Sequence, residues 1–137
     1  MSIKVYANLD ITAQLPQNDI FTFVTAKEPM IDIAVITNKD EFFIPNRSAF
    51  IILNTDVDYG EHNFLDGKQH YIISYGFNSR ATVTMSSAYD DAKKVICLQR
   101  RISTLFGNEI EPQEIVVVSE HPAETLVPRV ICELVAE

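Results

Sequence analysis

Three apolar runs that each end in small or polar residues constrain the fold of this chain more than any other feature. The runs span 32–38, 50–56 and 70–77. Strands that are apolar on both faces are typical of parallel sheets, because such sheets are covered on both sides. The loops that follow parallel strands meet at one edge of the sheet, where open α/β sheets bind ligands. The three runs therefore predict an α/β domain with a mainly parallel core sheet.

Length and composition predict a single domain. The chain has 137 residues, of which 47% are hydrophobic and 22% are charged. This is an ordinary globular composition, and the length is sufficient to bury a core without disulfides or metals. We therefore expect one α/β domain over 1–137. The formal net charge of −8 would repel a phosphate backbone, so we expect no nucleic acid partner.

Neither a targeting segment nor a membrane span is evident in the sequence. Residues 1–5 lack the apolar stretch of a signal peptide, and no window approaches the ~18 apolar residues of a membrane span. We therefore expect a cytoplasmic protein with no membrane partner. Cys97 and Cys132 lie in apolar runs without CxxC spacing, which favours buried, reduced thiols. A disulfide between these two residues is the alternative.

The first half of the chain predicts strands separated by polar segments, with one short helix. Residues 17–19 can cap that helix, which carries Ile20, Phe23 and Val24 on one face and would end before Pro29. The predicted elements are a strand at 3–9, a helix at 20–27, a strand at 31–37, a polar connection at 39–48, a strand at 49–54, a loop at 56–69 and a strand at 70–75.

The second half predicts an antiparallel β-hairpin extension of the sheet. Residues 81–86 alternate as a half-exposed strand does. The segments 95–106 and 110–118 flank Gly107 and Asn108, a dipeptide that suits a tight hairpin turn. A helix is the alternative for 95–106, since some of its apolar residues fit a helical period.

A C-terminal helix is predicted by apolar residues at helical spacing within 123–135. If the helix starts at Val127, Pro128 falls in its first turn, where proline is tolerated.

Polar residues at the ends of the predicted strands form a candidate ligand rim. Thr37, Asn54 and Asp56 follow two of the strands, and Asn78 and Arg80 lie in the polar turn after the third. If the strand ends converge, these side chains line one edge where a small ligand could bind. Ordinary turn chemistry, in which such residues hydrogen-bond nearby backbone, is the alternative.

A histidine near the predicted last helix is a further candidate. His121 precedes the start of that helix, and helix N-termini bind anions and nucleotides. The three histidines His62, His70 and His121 do not have the spacing of a local metal-ligand pattern. We therefore expect no metal site.

The order of these motifs resembles the central, ATP-binding domain of the Mur ligase family over 31–137. Mur ligases join amino acids to a growing peptide with ATP. A family strand ends in Thr-Asn, which Thr37 and Asn38 match, and a later one ends in Asn-x-Asp, which Asn54 and Asp56 match. The resemblance implies the fold described above and adds Asn38 to the candidate rim.

The last part of the chain follows the same order. The residues 75–76 match the end of the next family strand, and 81–118 fit the hairpin extension that follows it. His121 corresponds to a family histidine that contacts adenine, although Pro122 stands where the family has asparagine. The resemblance thus implies a nucleotide-contacting role for His121.

The chain departs from the family at positions that the reaction needs. Glu41 replaces the histidine of a metal- and phosphate-holding Asp-His pair, and no lysine lies between Asp40 and Gly67 to bind a second metal. None of the four glycines belongs to a G-x-x-x-x-G-K-[ST] loop that would hold triphosphate. We therefore expect no catalytic residue, no metal and no cofactor.

The leading functional hypothesis is a non-catalytic Mur-ligase-like protein that acts through protein–protein interaction, with an accessory or scaffold role in cell-wall synthesis. Its partner would be a ligase of the same family or another copy of the chain, since a truncated sheet leaves an edge or an apolar face uncovered. One alternative is a nucleotide- or small-anion-binding module that uses the rim around Thr37, Asn54 and His121. Another is an uncharacterised enzyme.

Overall fold

The computed structural model describes residues 2–8, 12, 20–41, 43, 45, 48–57, 71–85, 93–119, 121 and 123–137. Within them, the strands are β1 (Ile3–Tyr6), β2 (Phe21–Val24), β3 (Ile33–Ile36), β4 (Phe50–Asn54), β5 (Tyr71–Tyr75), β6 (Val83–Met85), β7 (Lys93–Leu98), β8 (Ile102–Ser103), β9 (Glu109–Ile110) and β10 (Gln113–Val118). A 3₁₀-helix spans Lys39–Glu41, and an α-helix, α1, spans Ala123–Val135.

The described strands other than β8 and β9 form one eight-stranded sheet in the order β10-β7-β6-β5-β4-β3-β1-β2. Strands β1 to β6 run parallel to one another. Strand β7 runs antiparallel to both β6 and β10. This architecture confirms the predicted α/β fold with a mainly parallel core sheet, an antiparallel extension and a C-terminal helix.

The sheet buries side chains on both of its faces. All four residues of β3 are buried, and they alternate between the two faces, as strand geometry requires. Ile33 and Val35 join the cluster that packs against α1, and we call this side the helix face. Ala34 and Ile36 join a second cluster on the opposite face. Each large aliphatic side chain buried in this way contributes about 1.5–3 kcal/mol, which explains why these runs are apolar throughout.

The helix predicted at 20–27 is wrong, because Phe21–Val24 forms the edge strand β2. It runs parallel to β1, with Ile3 opposite Phe21. The backbone N–H of Ile3 donates to the carbonyl of Ile20 at 2.6 Å, and that of Ala7 donates to Val24 at 3.2 Å. Aromatic and β-branched residues favour strands, and so short a helix is marginal by itself. Pairing with β1 therefore outweighs the helical pattern.

The other strand predictions of the first half are confirmed, and β1, β3 and β4 are shorter than predicted. The predicted strands at 3–9, 31–37, 49–54 and 70–75 correspond to β1, β3, β4 and β5. The predicted connection at 39–48 contains the 3₁₀-helix. The predicted loop at 56–69 lies, beyond residue 57, outside the described residues.

The hairpin at Gly107 and Asn108 is present, but it does not join the two long strands directly. The N–H of Thr104 donates to the carbonyl of Asn108 at 2.8 Å, closing the turn between β8 and β9. Gly107 adopts a φ of 82°, a conformation that glycine accepts without strain. The small β8-β9 sheet sits between β7 and β10 in sequence, while β7 and β10 pair with each other. The helical alternative for 95–106 is wrong.

The C-terminal helix is confirmed, and it begins at Ala123 rather than Val127. Pro128 is therefore in the second turn, where it removes one backbone N–H donor from the helix. The residue is buried and the helix continues past it. The buried residues of α1 that join the main core cluster are Leu126, Val127, Val130, Ile131, Cys132 and Val135.

Both cysteines are free thiols, as expected from their spacing. Cys132 is buried as expected, but Cys97 is only partly buried. In the part of the chain that the structure describes, no helix combines the length and the hydropathy needed to cross a membrane.

Candidate functional site

The predicted rim residues lie at the carboxyl edge of the parallel strands. Thr37 and Asn38 follow β3, Asn54 is the last residue of β4, and Asn78 follows β5. Because β3, β4 and β5 are adjacent and parallel, their loops emerge on the same edge. The adjacency of β3, β4 and β5 in the sheet thus places these side chains on neighbouring loops.

Asp56 connects the loop after β4 to the loop after β5. Its Oδ2 accepts the backbone N–H of Phe77 at 2.8 Å, and its Oδ1 accepts the side-chain Nδ2–H of Asn78 at 2.9 Å. The same Asn78 amide also donates to Thr55 Oγ1 at 3.0 Å. We call Thr55, Asp56 and Asn78, with these bonds, the loop bridge. It holds the two loops together through charged and neutral hydrogen bonds.

The loop bridge requires glycine at position 76. A Cβ atom built on Gly76 would lie 2.6 Å from Oδ1 and 2.7 Å from Cγ of Asp56. Real Cβ atoms do not approach other heavy atoms so closely, so any side chain at position 76 would displace the carboxylate. Glycine therefore permits the close approach of the two loops.

Thr37 and Asn38 form a second polar group, next to the amino-terminal strand. The Oδ1 atom of Asn38 accepts the backbone N–H of Asp40 at 2.9 Å and of Glu41 at 3.2 Å, which caps the 3₁₀-helix. Asn8 donates its side-chain N–H to Thr37 Oγ1 at 3.2 Å. Thr37 is thus bonded to the segment after β1, and Asn38 is bonded to the 3₁₀-helix that follows it.

Asn54 and Arg80 complete the rim in different ways. Asn54 Oδ1 accepts the backbone N–H of Asp56 at 2.9 Å, which is a side-chain turn at the end of β4. The backbone N–H of Arg80 donates to Asn78 Oδ1 at 3.0 Å, while its guanidinium side chain is exposed. The structure therefore brings Asn54, Asp56, Asn78 and the backbone of Arg80 into one continuous set of hydrogen bonds.

His121 is not part of that set. Its backbone N–H donates to Ser119 Oγ at 3.1 Å, and its side chain is exposed just before α1. Among the described residues, no hydrogen bond joins His121 to the rim.

The cavity at the rim is small. It has a volume of about 20 Å³, which is room for about one water molecule. Its lining residues are Asn54, Asp56, Tyr75, Gly76, Phe77, Met85 and Val127. The ring of Phe77 is 60% exposed next to this cavity.

A hydrogen bond between the buried Tyr6 and the partly buried Glu41 on the opposite face was not indicated by the sequence. The hydroxyl of Tyr6 donates to a carboxylate oxygen of Glu41, and the Tyr6 ring packs edge-on against Phe43 at 4.8 Å between ring centroids. Burial, the hydrogen bond to Glu41 and the charge of that carboxylate all raise the pKa of the Tyr6 hydroxyl. The two residues are separated by 35 positions, so no local spacing could have paired them.

Strand β10 presents the second feature that the sequence did not single out. It pairs with β7 on one side, and within the described residues no strand lies on its other side. The side chains of Val116 and Val118 are 55% and 77% exposed. A groove of about 590 Å³ lies between β10 and α1, and its lining includes Ile115, Val117, Arg129, Val130, Glu133 and Leu134.

No cluster of three or more histidine, cysteine, aspartate or glutamate side chains suited to hold a metal occurs in the described segments. Comparison of the chain with protein-family models, with curated proteins and with solved structures finds no match. The resemblance to Mur ligases accordingly stays a prediction from sequence motifs.

Proposed function

We propose that this chain is a non-catalytic protein that acts through protein–protein interaction, and that a partner strand adds to the outer edge of β10. The observation that carries this proposal is the edge itself, with exposed valines at 116 and 118. An extended strand that joins a sheet edge gains main-chain hydrogen bonds for affinity and side-chain contacts for specificity.

The composition of β10 supports this role. Proteins usually protect sheet edges with lysine, proline, bulges or short strands. Here the last four residues of a six-residue strand, 115–118, are all aliphatic, and Glu114 supplies the charge. The backbone of β10 is regular in its pairing with β7 over all six positions, so no bulge interrupts it. Such an edge is suited to accept another strand.

The order of parallel strands, antiparallel extension and C-terminal helix supports descent from a Mur ligase central domain as part of the proposal. In that case the chain is a cytoplasmic accessory protein that binds a ligase of this family or another copy of itself. The polar side chains at the carboxyl edge then serve to hold loops, since Asp56 and Asn78 already bond to each other.

The experiment is a selection of short extended peptides from a display library on the purified protein. We expect peptides with alternating apolar residues, which lose at least tenfold in affinity when the target carries Val116→Lys. Met30→Lys is the matched control, because Met30 is an exposed apolar residue away from β10. Equal binding to both variants, or a failure to select any peptide, contradicts the proposal.

A second candidate function is the binding of a nucleotide or small anion at the rim, favoured by one observation. The exposed ring of Phe77 and the exposed side chain of Arg80 lie on the same loop, so an aromatic surface and a guanidinium are close in sequence there. Aromatic rings stack on nucleobases, and guanidinium groups bind phosphate. Calorimetry with ATP, ADP and UDP-linked sugars tests it: heat of binding that Phe77→Ala and Arg80→Ala both abolish supports it, and no heat at millimolar ligand removes it.

A further inference from the structure

We propose that the strand added to β10 is the β10 strand of a second copy of this chain, so that two copies form a twofold dimer with one continuous sheet. This inference rests on the proposed function and names its partner. Three properties of β10 support it: the backbone groups that face outward, the register in which two β10 strands can pair, and the charges along the strand.

The hydrogen bonds of neighbouring strands show which backbone groups of β10 face outward. The N–H of Gln99 donates to the carbonyl of Thr82 at 2.8 Å, so the backbone of Gln99 points toward the β6 side. Successive residues of a strand point their backbone groups to opposite sides. On β7, Lys94, Ile96 and Leu98 therefore point toward β10.

The pairing register of β7 and β10 determines which residues of β10 point toward β7 and which point toward the outer edge of the sheet. The residues opposite Lys94, Ile96 and Leu98 are Val117, Ile115 and Gln113. These three bond to β7, which leaves the N–H and C=O groups of Glu114, Val116 and Val118 turned to the outer edge. The residues whose backbone groups face outward are thus the ones whose side chains lie on the face of the sheet opposite to α1, where Val116 and Val118 are exposed.

An antiparallel copy of β10 fits this edge in a register centred on Val116. Val116 then lies opposite Val116 of the second copy, and Glu114 lies opposite Val118 of the second copy. All of these residues point their backbone groups outward, so each opposed pair exchanges two N–H···O bonds in the usual antiparallel pattern. A twofold axis perpendicular to the sheet through Val116 generates this arrangement, and such isologous contacts close as dimers.

The side chains in this register are compatible with one another. On the opposite face, the exposed Val116 side chains of the two copies meet. On the helix face, Ile115 comes opposite Val117 of the second copy, and both residues already pack against the core cluster. The two Glu114 side chains are separated by four strand positions, or about 14 Å, so no like charges are opposed.

The groove between β10 and α1 becomes part of the dimer. A twofold axis perpendicular to the sheet keeps both α1 helices on the same face, with the two β10 strands between them. Ile115 and Val117 then form the floor of a trough, and the walls carry Arg129 and Glu133, which pair with each other at 3.1 Å. The lining of each groove also includes Glu137, so each wall carries one positive and two negative charges, and the Arg129–Glu133 pair offsets one of the negative charges on each copy.

The size of the contact sets the expected strength. A six-residue strand is about 20 Å long, and one strand edge buries less than the roughly 800 Å² per partner of a standard stable complex. We therefore expect a concentration-dependent dimer with a dissociation constant in the micromolar range, on the order of 10 μM.

Cysteine cross-linking of the full chain tests both the partner and the register. Opposed residues of a bonded antiparallel pair have Cα atoms about 5.5 Å apart, which a disulfide can span. Under mild oxidation, Val116→Cys is expected to form a disulfide dimer by itself. Val118→Cys alone should stay monomeric, since its equivalent in the second copy is about 14 Å away. A mixture of Glu114→Cys and Val118→Cys proteins should form the mixed dimer.

Wild-type protein, which keeps Cys97 and Cys132, is the control for cross-links through native thiols. The inference is overturned if Val116→Cys stays monomeric at 100 μM protein, or if Val118→Cys links as readily as Val116→Cys. If cross-linking fails but selected peptides still bind wild type and not Val116→Lys, the proposed function stands and the second copy is not the partner. If peptide binding fails as well, both the dimer and the proposed function are contradicted.

Discussion

The carboxylate of Asp56 lies in the space that the first side-chain atom of any other residue at position 76 would occupy. The approach is 2.6 Å for Oδ1, which is closer than two non-bonded heavy atoms tolerate. Gly76 and Asp56 therefore depend on each other, although 20 positions separate them in the chain.

Replacing Gly76 by alanine should destabilise the protein by about 1–3 kcal/mol, as overpacking does elsewhere. The new methyl group displaces the Asp56 carboxylate and breaks its bonds to Phe77 and Asn78. Urea denaturation measures the loss. In an Asp56→Ala background the same substitution should cost much less, because the clash is gone. An equal loss in both backgrounds would contradict the close approach.

Replacing Asp56 by asparagine should cost about 1–2 kcal/mol. Both carboxylate oxygens accept hydrogen bonds, from Phe77 N–H and from Asn78 Nδ2–H, and an amide presents one acceptor instead of two. Asn78→Ala removes one of the same bonds, so the two losses should not add. A double-mutant cycle by thermal or urea unfolding gives the coupling. Strict additivity would show that the loop bridge does not form in solution.

Alternate residues of β10 should respond differently to replacement by proline. Val116→Pro removes an N–H that faces outward, so pairing with β7 survives and stability changes little. Val117→Pro removes an N–H that bonds to β7 and should destabilise the protein by about 3 kcal/mol or more. Circular dichroism and urea unfolding compare the two variants. If Val116→Pro were the less stable variant, the N–H of Val116 rather than that of Val117 would bond to β7.

Stability should fall at alkaline pH in part because of Tyr6. Its pKa is raised in the folded protein by burial and by the Glu41 carboxylate, so the unfolded chain loses this proton first. The contribution is therefore fully present below pH 10, the ordinary pKa of tyrosine, and is lost as pH rises above it. The slope for one group is at most about 1.4 kcal/mol per pH unit. Tyr6→Phe should flatten this part of the pH profile, and an unchanged profile would contradict the assignment.

The two cysteines should differ in reactivity. Burial, followed by the charge of Glu133, raises the pKa of the Cys132 thiol to about 12, and its side chain is fully buried. Cys97 is only partly buried. A thiol reagent at pH 8 should modify Cys97 in the native protein and reach Cys132 only on unfolding. Cys97→Ser is the control, which should show no fast-reacting thiol. Two fast thiols in wild type would contradict the packing of α1.

The parallel core could be predicted because its signal is local. In β3 every residue is buried, so an uninterrupted apolar run marks a strand covered on both faces. The hairpin turn could be predicted for a similar reason, since Gly107 stands where the chain needs a positive φ. The start of α1 was less evident. Proline is common in the first turn of a helix, so Pro128 suggested a start at Val127, but α1 begins at Ala123 and contains Pro128 in its second turn.

The features that escaped prediction depend on distant residues. Phe21–Val24 is a strand because β1 offers it a partner, which its own pattern does not reveal. The strands whose ends carry the candidate rim could be predicted, but the sequence did not show that Asp56 and Asn78 bond to each other. Nor could it show that β10 lies at an edge, since exposure of Val116 depends on which strands lie beside it.

The position of β1 between β2 and β3 has a consequence for synthesis of the protein. Among the described strands, β1 is made before β2 and β3, which then pair on either side of it, and the sheet extends through β4, β5, β6 and β7 in the order of translation. The helix that covers one face is made after all of these strands. A nascent chain will therefore expose that apolar face to chaperones until α1 has left the ribosome.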